Sequence, residues 1–110
     1  MAISRRAQLD RAERIVPLPV LAEVYRGDAS DVGIDRLFSN GVRRLGIDLR
    51  TVRLAGRLRT SAGVGSAVDA IVVATAVRLG GAVVATADPE DFNRLAAGNP
   101  NVVIWSLNDR

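Results

Sequence analysis

From Ala67 to Thr86 the chain is apolar almost without a pause, and it changes period half-way. Ala67 to Leu79 is apolar nearly all round a helix rather than along one stripe, which marks a central, buried helix. Gly80-Gly81 ends it, and Ala82-Val83-Val84-Ala85-Thr86 then reads as a short buried strand. Asp69, Arg78 and the glycine pair interrupt the run too often for a membrane span. A buried helix delivering the chain straight into a buried strand is the repeating unit of an α/β sheet.

The rest of the chain repeats that alternation. Ser4 to Glu13 has Ala7, Leu9 and Ala12 as its only apolar face and reads as a short amphipathic helix. Arg14-Ile15-Val16 reads as a strand closed by Pro17, and Pro19 suits the first turn of a helix that Gly27 ends. A helix from Asp31 to Asn40-Gly41 follows, then a strand with Leu45 and Ile47 ending at Asp48. Helices at Leu49–Ala62 and Pro89–Ala97 and a last strand at Val102–Trp105 complete the expectation. Strands separated by helices predict a parallel α/β sheet with right-handed crossovers, in one domain spanning residues 1–110.

Composition then excludes whole classes of chemistry. The 110 residues contain no Cys and no His. Disulfides, thiolate nucleophiles, ordinary zinc sites and His-based triads are therefore absent, and any metal must sit on oxygen ligands. Every one of the 15 basic residues is Arg, whose planar fork of donors suits phosphate. Residues 43–63 carry six Arg against one Asp. Within them Arg50, Arg53 and Arg57 fall within about 60° of one another on a helix and form one basic stripe. A basic segment beside an acidic one suits a protein that binds polyanions and also holds a cation. Met1 to Arg6 has no apolar core of a leader, so a cytoplasmic protein is expected.

Three acids stand where such sheets do chemistry. Asp88 follows the strand Ala82–Thr86 at its carboxyl end, where open α/β sheets bind ligands. Asp69 opens the preceding helix, and helix and strand nearly cancel in length (roughly 19 Å against 17 Å), so both acids finish at one end of the sheet. Glu23 lies near the carboxyl end of the strand Ile15–Val16. Three carboxylates converging there repel one another unless a cation sits between them, and a hard divalent ion is the natural occupant. Beside the Arg stripe, such a site describes a metal-dependent nuclease.

Each of these residues also has a purely structural reading. Asp88 before Pro89-Glu90-Asp91 is a helix N-cap, and Asp91 is a first-turn acid that favours the helix dipole. Asp69 is equally a cap or first-turn residue. Glu23 lies about 130° from the centre of its helix's apolar stripe, on a solvated face. Arg50, Arg53 and Arg57 alone describe a solvated helix face.

The motifs resemble those of the PIN-domain family. Pro17-Leu18-Pro19-Val20-Leu21-Ala22-Glu23-Val24-Tyr25-Arg26-Gly27 is similar to the family's second motif. Ala55-Gly56-Arg57-Leu58 followed by Val68-Asp69-Ala70-Ile71-Val72-Val73-Ala74-Thr75-Ala76 resembles its third. Val83-Val84-Ala85-Thr86-Ala87-Asp88-Pro89-Glu90-Asp91-Phe92 resembles its fourth. The order and spacing match from about Arg6 to Leu107, and the nearest likeness is to the VapC-like toxin branch. The resemblance implies a PIN-like parallel sheet with helices on both faces and an endoribonuclease using Mg²⁺ or Mn²⁺. It further implies a metal-activated water that attacks the phosphodiester, homodimers and a cognate antitoxin protein. Carried over residue by residue, Glu23, Asp69 and Asp88 are the catalytic, metal-binding acids. Thr86 and Asp91 support them, and Arg50, Arg53 and Arg57 hold the RNA backbone.

One part of the family pattern has no counterpart here. The family's first, central strand ends in an Asp that binds the metal, and neither strand nor Asp is found in this sequence. The expectation is an N-terminally incomplete domain with weak or no activity, or a non-catalytic PIN-like module that dimerises or binds an antitoxin. The missing strand has three readings: a start assigned downstream of the true one, a degenerate copy, or a gap in the sheet closed by rearrangement or by a partner chain.

Overall fold

Ala67–Arg78 is helical because Ser66 and Asp69 close a reciprocal capping box at its start: the Asp69 N–H donates to Ser66 Oγ at 3.0 Å, and the Ser66 N–H to Asp69 Oδ2 at 3.3 Å. This helix is the centre of the core. Val72, Val73, Ala74 and Ala76 are fully buried. The one polar side chain among them, Thr75, donates its hydroxyl to the Ile71 carbonyl at 2.7 Å.

The computed structural model describes residues 2–4 and 14–107. Their elements are β1 (Ala2–Ser4), β2 (Arg14–Pro17), α1 (Leu18–Val24), α2 (Asp31–Ser39), β3 (Val42–Leu45) and α3 (Leu49–Ala62). The central helix is α4 (Ala67–Arg78), followed by β4 (Ala82–Thr86), α5 (Pro89–Leu95) and β5 (Val102–Ser106). The expected α/β class holds, and α4 packs on α3, β4 and β2. Buried side chains of β2, α4, β4 and α5, with Ile15, Val84, Phe92 and Leu95 almost wholly enclosed, make the aliphatic core.

The strands form one sheet in the order β3-β2-β1-β4-β5. β2 and β3 are parallel, as are β4 and β5, but β1 runs antiparallel to both of its neighbours. The all-parallel expectation is therefore corrected at one strand, the central one. The cause is chain length. Only nine residues separate Ser4 from Arg14, whereas a parallel crossover needs about a dozen or more. Turning straight back is the available route. The position that the family resemblance gives to a parallel strand ending in Asp is held here by Ala2-Ile3-Ser4, which carries no carboxylate.

Other expectations shift at their ends. Ser4 belongs to β1 rather than to a helix, and the remainder of that expected helix, 5–13, lies outside the described residues. The third strand is Val42–Leu45 rather than a segment ending at Asp48. Asp48 instead caps α3, accepting the Thr51 N–H at 2.8 Å and the Thr51 hydroxyl at 2.7 Å. It also faces Arg78 at 3.6 Å.

Those two bonds from Thr51, the backbone N–H foremost, hold the Asp48 carboxyl below its ordinary value of 3.8. A carboxyl lowered on folding contributes stability that is present above its unfolded value and lost as pH falls through the folded one. Asp48→Asn is therefore expected to flatten the loss of stability between about pH 4 and pH 2 relative to wild type. Urea unfolding at several pH values in that range checks it.

Candidate active site and nucleic-acid interface

Because β2 and β4 both oppose β1, they point the same way, and their carboxyl ends share one end of the sheet. The chain leaves β4 through Thr86, which is buried. Its hydroxyl oxygen accepts the Asp88 N–H at 3.0 Å, and its carbonyl accepts the Leu107 N–H at 2.9 Å. These two bonds fix the turn that carries Asp88. The Thr86 hydroxyl thus holds the backbone of Asp88.

Asp88 occupies the N-cap position of α5, as its structural reading predicts, yet its side chain makes no capping bond. The residue is exposed and its carboxylate is left for solvent or a cation. Asp91, half-buried, lies with Glu90 in the first turn of α5. Glu23 is exposed on α1. The Tyr25 hydroxyl donates to Asp35 Oδ1 at 2.5 Å and ties the end of α1 to α2. That bond, more than any other influence, raises the Tyr25 phenol above its ordinary value.

Asp69 has a different environment. Its carboxylate is the acceptor of the α4 capping box, so the structural reading of this residue is realised. Among the described residues no group of three or more Asp or Glu side chains is placed to hold a metal ion. Glu23 lies on α1, Asp69 in the first turn of α4 and Asp88 just after β4, and the three do not form a metal-holding group. The donor set as arranged here does not fit a three-carboxylate Mg²⁺ or Mn²⁺ site.

The basic stripe is exposed as expected. Arg50, Arg53 and Arg57 project from α3, which contains four Arg and no acidic residue. None of these three side chains makes a hydrogen bond or ion pair among the described residues, and unpaired guanidinium groups are ready phosphate ligands. Reasoning from the sequence missed two features. One is the Asp48–Arg78 pair beside a cavity of about 220 Å³ lined by Leu45, Ile47, Thr51 and Thr75. The spacing Asp48-x-x-Thr51, a cap motif, was the available signal for it. The other is Arg44, whose guanidinium stacks over the Phe38 ring at 4.6 Å. Among the described residues no single helix is long and apolar enough to cross a membrane.

Comparison with curated proteins and with solved structures gives no significant match. The family model described as PIN domain matches residues 2–98, from the central strand β1 to the turn after α5. PIN domains are in general nuclease-type and divalent-metal-dependent, and they usually bind RNA. With the match covering most of its length, the chain belongs to the PIN domain family.

Proposed function

We propose that this chain is a PIN domain of the toxin–antitoxin type that binds RNA through the α3 arginines and hydrolyses it weakly or not at all. One observation carries this reading: among the described residues the α3 arginines make no hydrogen bond or salt bridge, while the acids are not assembled into a metal site. Arg50, Arg53 and Arg57 stand on one exposed helix face and make no hydrogen bond or salt bridge among the described residues. Asp69 is engaged at the start of α4, and among the described residues no group of three acids is placed to hold a metal ion. An RNA backbone laid along α3 meets planar donors at successive helical turns, and such contacts position a strand without reading its bases. In this reading the chain works as an interaction module, dimerising or binding a cognate antitoxin protein.

The second reading is an endoribonuclease that hydrolyses RNA phosphodiesters with Mg²⁺ or Mn²⁺, with Glu23, Asp69 and Asp88 as its acids. It is favoured by Asp88, whose carboxylate stands at a helix N-cap and makes no capping bond. One experiment separates the two. Fluorescence anisotropy with a single-stranded RNA measures affinity, and a gel assay of the same RNA with Mg²⁺ or Mn²⁺ measures cleavage.

The proposal expects saturable RNA binding that the triple variant Arg50→Ala/Arg53→Ala/Arg57→Ala weakens about tenfold or more. The slope of log affinity against log salt should fall by about 2 if each Arg meets one phosphate. Cleavage should be absent, or slow and reduced by both Asp69→Asn and Asp88→Asn. Brisk cleavage abolished by either substitution establishes the second reading instead. Unchanged binding by the triple variant overturns the α3 interface.

A further inference from the structure

Only one Asn in this chain precedes a Gly: the pair Asn40-Gly41, between α2 and β3. That order of residues carries a reaction of its own. The peptide nitrogen after an Asn closes a five-membered ring when it bonds to the side-chain carbonyl carbon, and a glycine there puts no Cβ in the way. In a folded protein the reaction depends on what holds the carboxamide, the nitrogen and the backbone between them.

Asn40 and Gly41 are both exposed. Among the described residues neither the Asn40 carboxamide nor the Gly41 N–H makes a hydrogen bond. Asn40 is the C-cap of α2, and its own N–H donates to the carbonyls of Arg36 at 3.1 Å and Leu37 at 3.2 Å. The helix therefore anchors the Asn40 Cα, while the bond that leads on to Gly41 lies outside it. From ψ 25° the Gly41 nitrogen has to swing round to meet Cγ. Gly41, at φ +93°, can absorb that swing before Val42 enters the sheet against Arg14. A Cβ built on Gly41 meets nothing within 4 Å, so the motion runs through open space.

The neighbouring charges favour the step as well. Residues 36–47 contain Arg36, Arg43 and Arg44 and no acid. The attacking species is the amide nitrogen without its proton, and nearby cations stabilise such an anion. The other described asparagines lack these conditions. Asn99 precedes Pro100, whose nitrogen carries no proton. Asn101 precedes Val102, whose N–H donates to the Asn99 carbonyl at 3.0 Å. Asn93 lies inside α5.

We propose that Asn40-Gly41 is a self-modification site, at which the chain converts Asn40 through a cyclic imide into aspartyl and isoaspartyl forms. The Gly41 nitrogen gives its proton to hydroxide and bonds to Asn40 Cγ. The Cγ–Nδ2 bond breaks, and Nδ2 leaves as ammonia, taking a proton from water. Water then opens the ring, at Cγ to give Asp or at the main-chain carbonyl carbon to give isoaspartate. Nothing is oxidised or reduced. Either product sets a carboxylate at the end of α2, where the helix dipole disfavours it. The isoaspartyl form also lengthens the main chain by one carbon just before β3, whose first pair is Arg14 with Val42. This site stands apart from the RNA reading.

The test ages the full chain at body temperature and neutral pH and follows its tryptic peptides by mass against an unaged sample. Cleavage after Arg36 and Arg43 isolates Leu37–Arg43, whose one asparagine is Asn40. Expected is steady replacement of NH2 by OH in that peptide, with the product resolving into two isomers. The isoaspartyl isomer should accept a methyl group from an isoaspartyl methyltransferase. Conversion should run within about tenfold of that in a synthetic Leu37–Arg43 peptide, because local structure gives this pair little protection. Peptides holding Asn93, Asn99 and Asn101 should convert at least about tenfold more slowly. Gly41→Ala should slow the reaction about tenfold or more. Asn40→Gln, an exposed change that leaves the backbone as it is, should show no conversion over the same period. No conversion of Leu37–Arg43, conversion no faster than at the other asparagines, or a single isomer whose formation Gly41→Ala does not slow overturns the site.

Discussion

Gly81→Ala should destabilise the protein by about 3 kcal/mol or more, while Gly80→Ala, one residue earlier, should cost about 1 kcal/mol. Gly81 has φ +126°, outside the regions open to residues with a side chain. A Cβ there lies 2.8 Å from the Asn101 carbonyl oxygen and 2.9 Å from the Asn101 Cβ. The carbonyl cannot retreat cheaply, because it accepts the Ala82 N–H at 3.0 Å where β4 begins. Gly80 also has a positive φ, of +84°, but a Cβ there meets nothing within 4 Å. The two substitutions separate backbone strain from steric conflict. Thermal melts followed by far-UV circular dichroism should show Gly81→Ala lowered by about 10 °C or more and Gly80→Ala by roughly half that or less. Equal losses would mean that Asn101 moves aside freely. The junction also sets the phase between α4 and β4, and so the placement of Asp69 relative to Asp88.

Phe92→Ala is expected to cost about 3–5 kcal/mol, a large part of the roughly 5–15 kcal/mol that holds a domain of this size. Phe92 is 1% exposed and sits at the middle of α5, four residues after Asp88. It is one of only two Phe in a chain with 4% aromatic residues, so it fills a volume that neighbouring Val and Ala cannot reach across. Short side chains relax little into a large void, which puts the loss at the upper end for such truncations. A melting temperature lowered by about 15 °C or more checks it, with Phe92→Leu as the milder comparison at about 1 kcal/mol. A shift of only a few degrees would show that Phe92 is not part of the core. Phe92 also anchors the helix that Asp88 begins, so the truncated variant should lose order at that turn before it unfolds.

Much of the fold can be read directly from the residues, and the parts that cannot are instructive. Leu49–Ala62 and Ala82–Thr86 have the bounds expected, because each is delimited by strong punctuation: Asp48 before the first helix, the glycine pair before the strand. Val42–Leu45 is harder to see because Arg43 and Arg44 disguise it. As an edge strand it turns charge outward, which is how sheets discourage further pairing. The direction of β1 leaves no mark in a tripeptide. It follows only from the number of residues available to turn round, an argument that needs β2 as its partner to be known first.

The candidate site was less legible for a related reason. Asp69 satisfies a capping pattern, Ser66-x-x-Asp69, and a metal-ligand pattern equally well, and the backbone donors are always present to be satisfied. Asp88 shows the reverse. A sequence ideal for capping leaves its carboxylate without a capping bond, while the Thr86 hydroxyl holds the backbone N–H of the same residue. Residue type and spacing nominate such acids; only the local competition for hydrogen bonds decides their employment.

The central place of β1 has a consequence for the order of assembly. Ile3 pairs with Ile15 on one side and with Val84, 81 positions along the chain, on the other. A growing chain can zip β1 to β2 and add β3 while synthesis is still under way. It cannot join β4 and β5 until residues 82–106 have emerged. Local contacts therefore form on one half of the sheet, and a single late, long-range closure unites it with the other half, the kind of step that slows folding. Until then the open flank of β1 is a bare strand edge, and crowding, temperature and chaperone supply should govern the yield of native protein more than its final stability does.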